Sequence, residues 1–168
     1  MIKMEFHNTP KLTDEVTIAL RNLCAKRACT MALMLDEANA AGAKGTDHAR
    51  RAVYKYGEFG GQDLKKKMRD PADLEEFAKY FGAGLDANIY EMERLVQDSE
   101  KFYIDFHYCP YVAEWLKIGR PHGEIAELCE IAMEGDRAIG DTFDAFKFTL
   151  GDTIAKGGKV CQIRFDKK

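Results

Sequence analysis

The sequence contains no apolar run near the ~20 residues that a bilayer-spanning helix needs, which excludes a helical membrane span. It contains no CxxC pair. Its five cysteines, Cys24, Cys29, Cys109, Cys129 and Cys161, are odd in number and widely spaced. That spacing excludes a zinc ribbon, a thioredoxin-type motif and a disulfide scaffold. A clustered basic stretch is also missing: 25 Lys and Arg are mixed with 28 Asp and Glu for a net charge of −3. Neither a nucleic-acid footprint nor a membrane-surface patch is expected from that balance. The opening stretch, MIKMEFHNTPKLTDE, lacks a charged start followed by an apolar segment. No secretion signal is therefore expected, and the thiols are expected to be reduced in the cytoplasm. Internal repeats and low-complexity segments are absent.

What is present is enough apolar mass for one core. Hydrophobic residues make up 46% of the 168, including ten Phe and seven Tyr, and the length fits a single domain over residues 1–168. Thr13 is placed to cap a long helix, with Asp14 and Glu15 in its first turn. Its apolar stripe runs Val16, Leu20, Leu23, Cys24, Ala28, Met31, Met34, Leu35 and Ala38, and the helix ends near the AGAKG loop. A second helix is expected over 46–56, ended or interrupted by GEFGG at 57–61. A third starts where Asp70 caps and Pro71 takes the first turn. Gly82 and Gly84 end it.

After Ile89 the apolar period changes from 3.6 residues to two. EMERLVQ and KFYIDFHY read as two strands joined by Asp98-Ser99-Glu100. Pro110 ends the second strand and begins the helix YVAEWLKIG. A longer helix over 124–143 follows, and AFKFTLGD and KVCQIRF close the chain as a hairpin. The Gly157-Gly158 pair is expected to supply positive φ to that turn. The expected fold is α+β, with N-terminal helices packed on an antiparallel sheet of two hairpins separated by two helices.

The chemistry-bearing residues concentrate in FHYCPYVAEW. Cys109 stands at a strand-to-helix junction, where the partial positive charge of a helix start favours a thiolate. It is therefore expected to react faster than Cys24 or Cys29. His107, two residues back, could take the thiol proton, and Glu114, one turn into the helix, could orient either partner. Cys129 shares a helix face with Ile125, Leu128, Ala132, Asp136 and Ile139 by the 3.6-residue period. Asp136 is thus a carboxylate on an inward face, which needs a partner or a wet cavity. A helix end near Glu134, with Asp136 as a cap, is the structural alternative. Cys161 alternates with Ile163 and Phe165 on the apolar face of the last strand. Simple alternation puts Cys109 off that face, so a bulge at His107–Pro110 is needed before both thiols share one cavity.

Cys109-Pro110 followed by a helix and Gly119, then Leu128-Cys129-Glu130, then Cys161-x-Ile163-Arg164-Phe165, resembles the L-2-amino-thiazoline-4-carboxylic acid hydrolase family over Phe106 to Phe165. Gly157-Gly158-Lys159 departs from the pattern, in which an acidic or small residue follows the glycine. The resemblance implies hydrolysis of a small cyclic amidine, with water added at the amidine carbon of a thiazoline ring. On that reading Cys109 is nucleophile or base, His107 its proton partner, and Asp136 or Glu114 the orienting acid. Cys129 and Cys161 line the substrate pocket, and Arg164 or Arg120 binds a substrate carboxylate bidentately. No cofactor is implied. A second reading is a sensor domain holding zinc or iron on His107, Cys109, Cys129 and Cys161. The expected partner is a small molecule, with self-association left open.

Overall fold

The structure, a computed structural model, describes residues 5–168; residues 1–4, the start of the stretch read above for a leader, lie outside it. Helices come first: α1 (Glu15–Ala40), α2 (Gly45–Lys67), α3 (Leu74–Tyr80) and the short α4 (Leu85–Ile89). Two strands follow, β1 (Met92–Gln97) and β2 (Lys101–Phe106), then α5 (Pro110–Lys117), α6 (His122–Ala132) and α7 (Glu134–Asp141). The chain ends in β3 (Phe146–Leu150) and β4 (Cys161–Lys167). The four strands form one antiparallel sheet in the order β1-β2-β4-β3. The fold is α+β with the N-terminal helices preceding the sheet. No helix among the described residues is long and apolar enough to cross a membrane.

One face of the sheet makes the core. Phe102, Ile104, Ile163 and Phe165 are fully buried there, together with Phe77 from α3, Phe143 just before β3 and Phe146 at its start. Phe77 packs edge-on to Phe143 at 5.0 Å and tilted against Phe165 at 4.8 Å, geometries that aromatic rings prefer over face-to-face stacking. The other face carries Tyr103, Asp105 and Arg164, linked by polar contacts. The period-two reading holds in β2, β3 and β4; in β1 a register shift between Arg94 and Val96 interrupts it and Leu95 is exposed.

The helices depart from expectation in five places. Asp14, rather than Thr13, caps α1 by accepting from the Thr17 amide at 2.9 Å. The buried side of α1 is Thr17, Arg21, Ala28, Ala32 and Leu35, whereas Val16, Leu23 and Met34 of the expected stripe are exposed. Arg21 is admitted because its guanidinium donates to the carbonyls of Leu12, Asn88 and Ile89 and to Glu91. A buried cation is tolerable when paired and fully hydrogen-bonded. Asp73, rather than Asp70, caps α3, accepting from Glu76. The expected helix over 124–143 breaks at Met133 into α6 and α7.

The fifth departure is GEFGG, which lies inside α2 instead of ending it. Its glycines serve packing. A Cβ on Gly57 would fall 2.8 Å from both Gly135 Cα and Ala138 Cβ of α7, and a Cβ on Gly61 would fall 2.7 Å from Thr142 Cβ. The absent side chains let α2 lie against α7 at backbone contact. Gly60, between them, meets only Ile139 at 3.7 Å.

Gly57→Ala is expected to lose about 1–3 kcal/mol, because overpacking outweighs the helix propensity gained. Gly60→Ala has room for its methyl and is expected to gain up to about 1 kcal/mol. Urea denaturation of both variants checks the contrast.

Candidate functional site

A cavity of about 660 Å³ lies between the helical layer and the sheet. Its exposed lining residues include Leu23 and Arg27 of α1 and Tyr56 and Asp63 of α2, so it opens between those helices. Its deeper wall holds Phe106, Cys109, Trp115, Cys129 and Cys161, with Asp136 of α7 and the phenols of Tyr90 and Tyr111. Three of the cysteines singled out in the sequence, and Asp136, therefore line one space. Cys24, placed in the apolar stripe of the first helix, lines it as well.

Cys109 reaches the cavity without the expected bulge. The ladder of β2 ends at Phe106, paired with Cys161. The amides of His107 and Tyr108 still donate to Glu91 and Tyr90 carbonyls at 3.3 and 3.0 Å. Cys109 then leaves the sheet as the N-cap of α5, at φ −130° and ψ 107°, so strand alternation no longer sets its direction. The one register shift in the first hairpin lies in β1, between Arg94 and Val96. Asn8 fixes the junction: its Oδ1 accepts from the Cys109 amide at 2.7 Å, and its Nδ2 donates to the Cys109 carbonyl at 2.9 Å.

The other residues singled out lie elsewhere. His107 faces a separate surface depression with Lys11 and Glu91, and its Nε2 is 2.8 Å from Glu93 Oε2. Two residues along a strand it shares Asp105's face, not Cys109's cavity. Glu114 meets Lys117 at 3.3 Å on α5. Arg120 is held by Asp36 and Glu124, and Arg164 by Asp105 at 2.6 Å and by the Ile104 carbonyl. None of the four lines the cavity. Among the described residues no group of three or more His, Cys, Asp or Glu is arranged to hold a metal ion. The set His107, Cys109, Cys129 and Cys161 does not converge because His107 is turned away.

Burial governs the electrostatics. It pushes the Cys109 thiol up to about 11, outweighing the Tyr111 and Val112 amides of the helix start that pull the other way. Burial pushes Cys129 up to about 12 and Cys161 well above the usual thiol range. The expected thiolate at Cys109 is therefore not the resting form. The Tyr111 phenol is pushed up to about 12 by the same cause, and Tyr90 is raised too. Asp136 is the exception that matters near neutrality. Burial raises it to about 6 against the lowering pull of Arg137 and Arg27. Cys109 and Asp136 are only half-buried by area, but the surface they expose faces the cavity rather than bulk water. A carboxyl at about 6 among neutral thiols and phenols is suited to moving protons at physiological pH.

Sequence reasoning missed Arg27, Tyr56, Tyr90 and Tyr111. Arg27 lies three residues after Cys24, a spacing that puts both on one side of a helix. Tyr90 precedes the strand and carries no periodic signal.

A family model described as L-2-amino-thiazoline-4-carboxylic acid hydrolase matches residues 21–165. The match covers nearly the whole chain, well beyond the segment from Phe106 that carries the resemblance. The chain belongs to that hydrolase family. No curated protein matches it, and no solved structure does.

Two outcomes follow from these shifts. Native Cys109 is expected to alkylate about a hundredfold more slowly at pH 7 than in urea, the change in thiolate fraction between the ordinary 9.0 and about 11. Timed labelling with mass spectrometry reads this directly. For Asp136, the folded value lies above the unfolded one, so its favourable contribution is complete below 3.8 and lost as pH rises through about 6. The gap sets an upper bound of about 3 kcal/mol, trimmed to on the order of 2 kcal/mol by screening at the cavity mouth. Asp136→Asn is expected to be more stable than the parent at pH 8 and equal to it below pH 4, by thermal melting at each pH.

Proposed function

We propose that the protein is a hydrolase that opens a small cyclic amidine such as 2-amino-thiazoline-4-carboxylate, using Cys109 and Asp136. The observation that carries this reading is the convergence of Cys109, Cys129 and Cys161 with one carboxyl of near-neutral pKa in a single cavity. Family membership supports the reaction class.

Cys109 gives its proton to the Asp136 carboxylate as Sγ adds to the amidine carbon, and the ring carbon–sulfur bond breaks. The departing sulfur takes a proton from the Asp136 carboxyl. Water then adds to the same carbon, giving a proton to Asp136, and the Cys109–carbon bond breaks as Sγ takes that proton back, releasing an N-carbamoyl amino acid. The sum is substrate plus water, with both enzyme groups restored. Transfer from a thiol at about 11 to a carboxylate at about 6 is uphill in the free protein. A cationic amidinium bound beside the sulfur narrows that gap, since a nearby opposite charge favours the thiolate. The nucleophile is thus made where and when substrate is present. The Tyr90 and Tyr111 hydroxyls, held neutral, are donors for the tetrahedral adduct.

Cys109→Ala is expected to abolish ring opening of 2-amino-thiazoline-4-carboxylate, and Asp136→Asn to slow it roughly 10²–10⁴-fold, both with native circular dichroism. In the parent, kcat/KM should rise with pH through about 6 and then level. Full activity in both variants would refute the assignment.

A further inference from the structure

The reading of Arg120 or Arg164 as the carboxylate binder leaves the cavity without a cation from either, because both guanidiniums are bound to acids outside it. Arg27 stands differently. It lines the cavity at its mouth, and among the described residues no carboxylate pairs with it. Its guanidinium instead lies over the Tyr56 ring, 4.7 Å from the centroid, a contact that orients the planar fork while leaving its N–H edge free to donate. Its charge reaches inward: it pulls down Asp136 as well as the Cys24 and Tyr111 groups deeper in the wall. Lys67 also lines the cavity, but the acid it acts on is Asp63, at the mouth and already paired with Lys66.

The cavity thus carries one carboxyl in its deeper wall, Asp136, with Asp63 and Asp86 at its exposed edge, and one unpaired guanidinium at its entrance. We infer that Arg27 selects substrates that are zwitterionic, taking a ring carboxylate at the mouth while the amidinium end is directed to Asp136 and Cys109. This inference rests on the hydrolase reading and adds the specificity-determining residue to it. The planar guanidinium matches a carboxylate with two parallel N–H···O bonds, and Lys at this position would supply only a point charge. Orientation follows from the same pairing. A ring with its carboxylate on Arg27 cannot turn its amidine carbon outward without placing the amidinium beside a cation.

The test compares 2-amino-thiazoline-4-carboxylate with 2-amino-2-thiazoline, the same ring without the carboxylate. Both are offered to the parent, Arg27→Gln, Arg27→Lys and the control Lys67→Met. Turnover gives KM and kcat, and calorimetry gives binding to each protein. Arg27→Gln is expected to raise Kd and lower kcat/KM for the carboxylated ring roughly tenfold to a hundredfold, measured at pH 8, well above the Asp136 value of about 6. Its handling of the plain ring should match the parent's. Arg27→Lys should recover only part of the loss, and Lys67→Met should behave as the parent. A parent that opens the carboxylated ring, with an Arg27→Gln variant keeping the same preference for it, overturns this inference and leaves the hydrolase reading standing. A folded parent that neither binds nor opens either ring overturns both.

Discussion

The contact on which the site depends is the one between α2 and α7, two helices that meet at their backbones because glycine stands at 57, 61 and 135. A single methyl at Gly57 would intrude on Gly135 and Ala138. The contact has two consequences at once. It sets the first turn of α7, so Asp136, next to Gly135, faces the space beneath α1 and α2. It also holds α2 along one side of that space, with Tyr56 and Asp63 at the rim. The break at Met133 belongs to the same arrangement.

The cavity is the part of the core that this packing leaves unfilled, and its chemistry follows from that. Phe77, Phe102, Phe143, Phe146 and Phe165 close the sheet at one end, while the end near Phe106 and Cys161 is left to small thiols. Removing water from these walls disfavours every charged form. The same cause that keeps Cys109, Cys129 and Cys161 protonated lifts Asp136 into the physiological range. An activated resting thiolate and a neutral-range carboxyl are alternatives in such a space. This chain has the second: its cavity thiols rest protonated beside a carboxyl at about 6.

Much of the frame was legible in the sequence. Two-residue alternation in KFYIDF and CQIRF fixed which residues face the core, and Pro110 after Cys109 marked the strand-to-helix junction. What failed had specific physical causes. GEFGG looks like a breaker by propensity, and only its partner helix reveals that the missing side chains are a contact surface. The stripe on α1 was misplaced because Arg21 sits inside, satisfied by carbonyls some 70 positions away in the chain. His107 was paired with Cys109 on the assumption of an unbroken pleat, and the chain's exit from the sheet after Phe106 separates them. Short-range patterns report strands and caps well. They do not report which distant group makes a buried charge tolerable.

The motifs that carry the family resemblance prove to be mixed in role. In Cys161-x-Ile163-Arg164-Phe165, Ile163 and Phe165 fill the core and Arg164 braces Asp105 across the outer face; only the first residue faces the cavity. In Leu128-Cys129-Glu130, the glutamate ties α6 to Arg137 of α7 and to Lys156 in the β3–β4 connection. These motifs therefore specify the scaffold that brings the sulfurs together more than they specify a reaction. Asp136 and Arg27, which line the same cavity, stand outside them. So does Asn8, which holds both peptide groups of Cys109 from a segment preceding the matched span at residue 21. The orientation of the central thiol is thus set by a part of the chain that the family pattern does not describe.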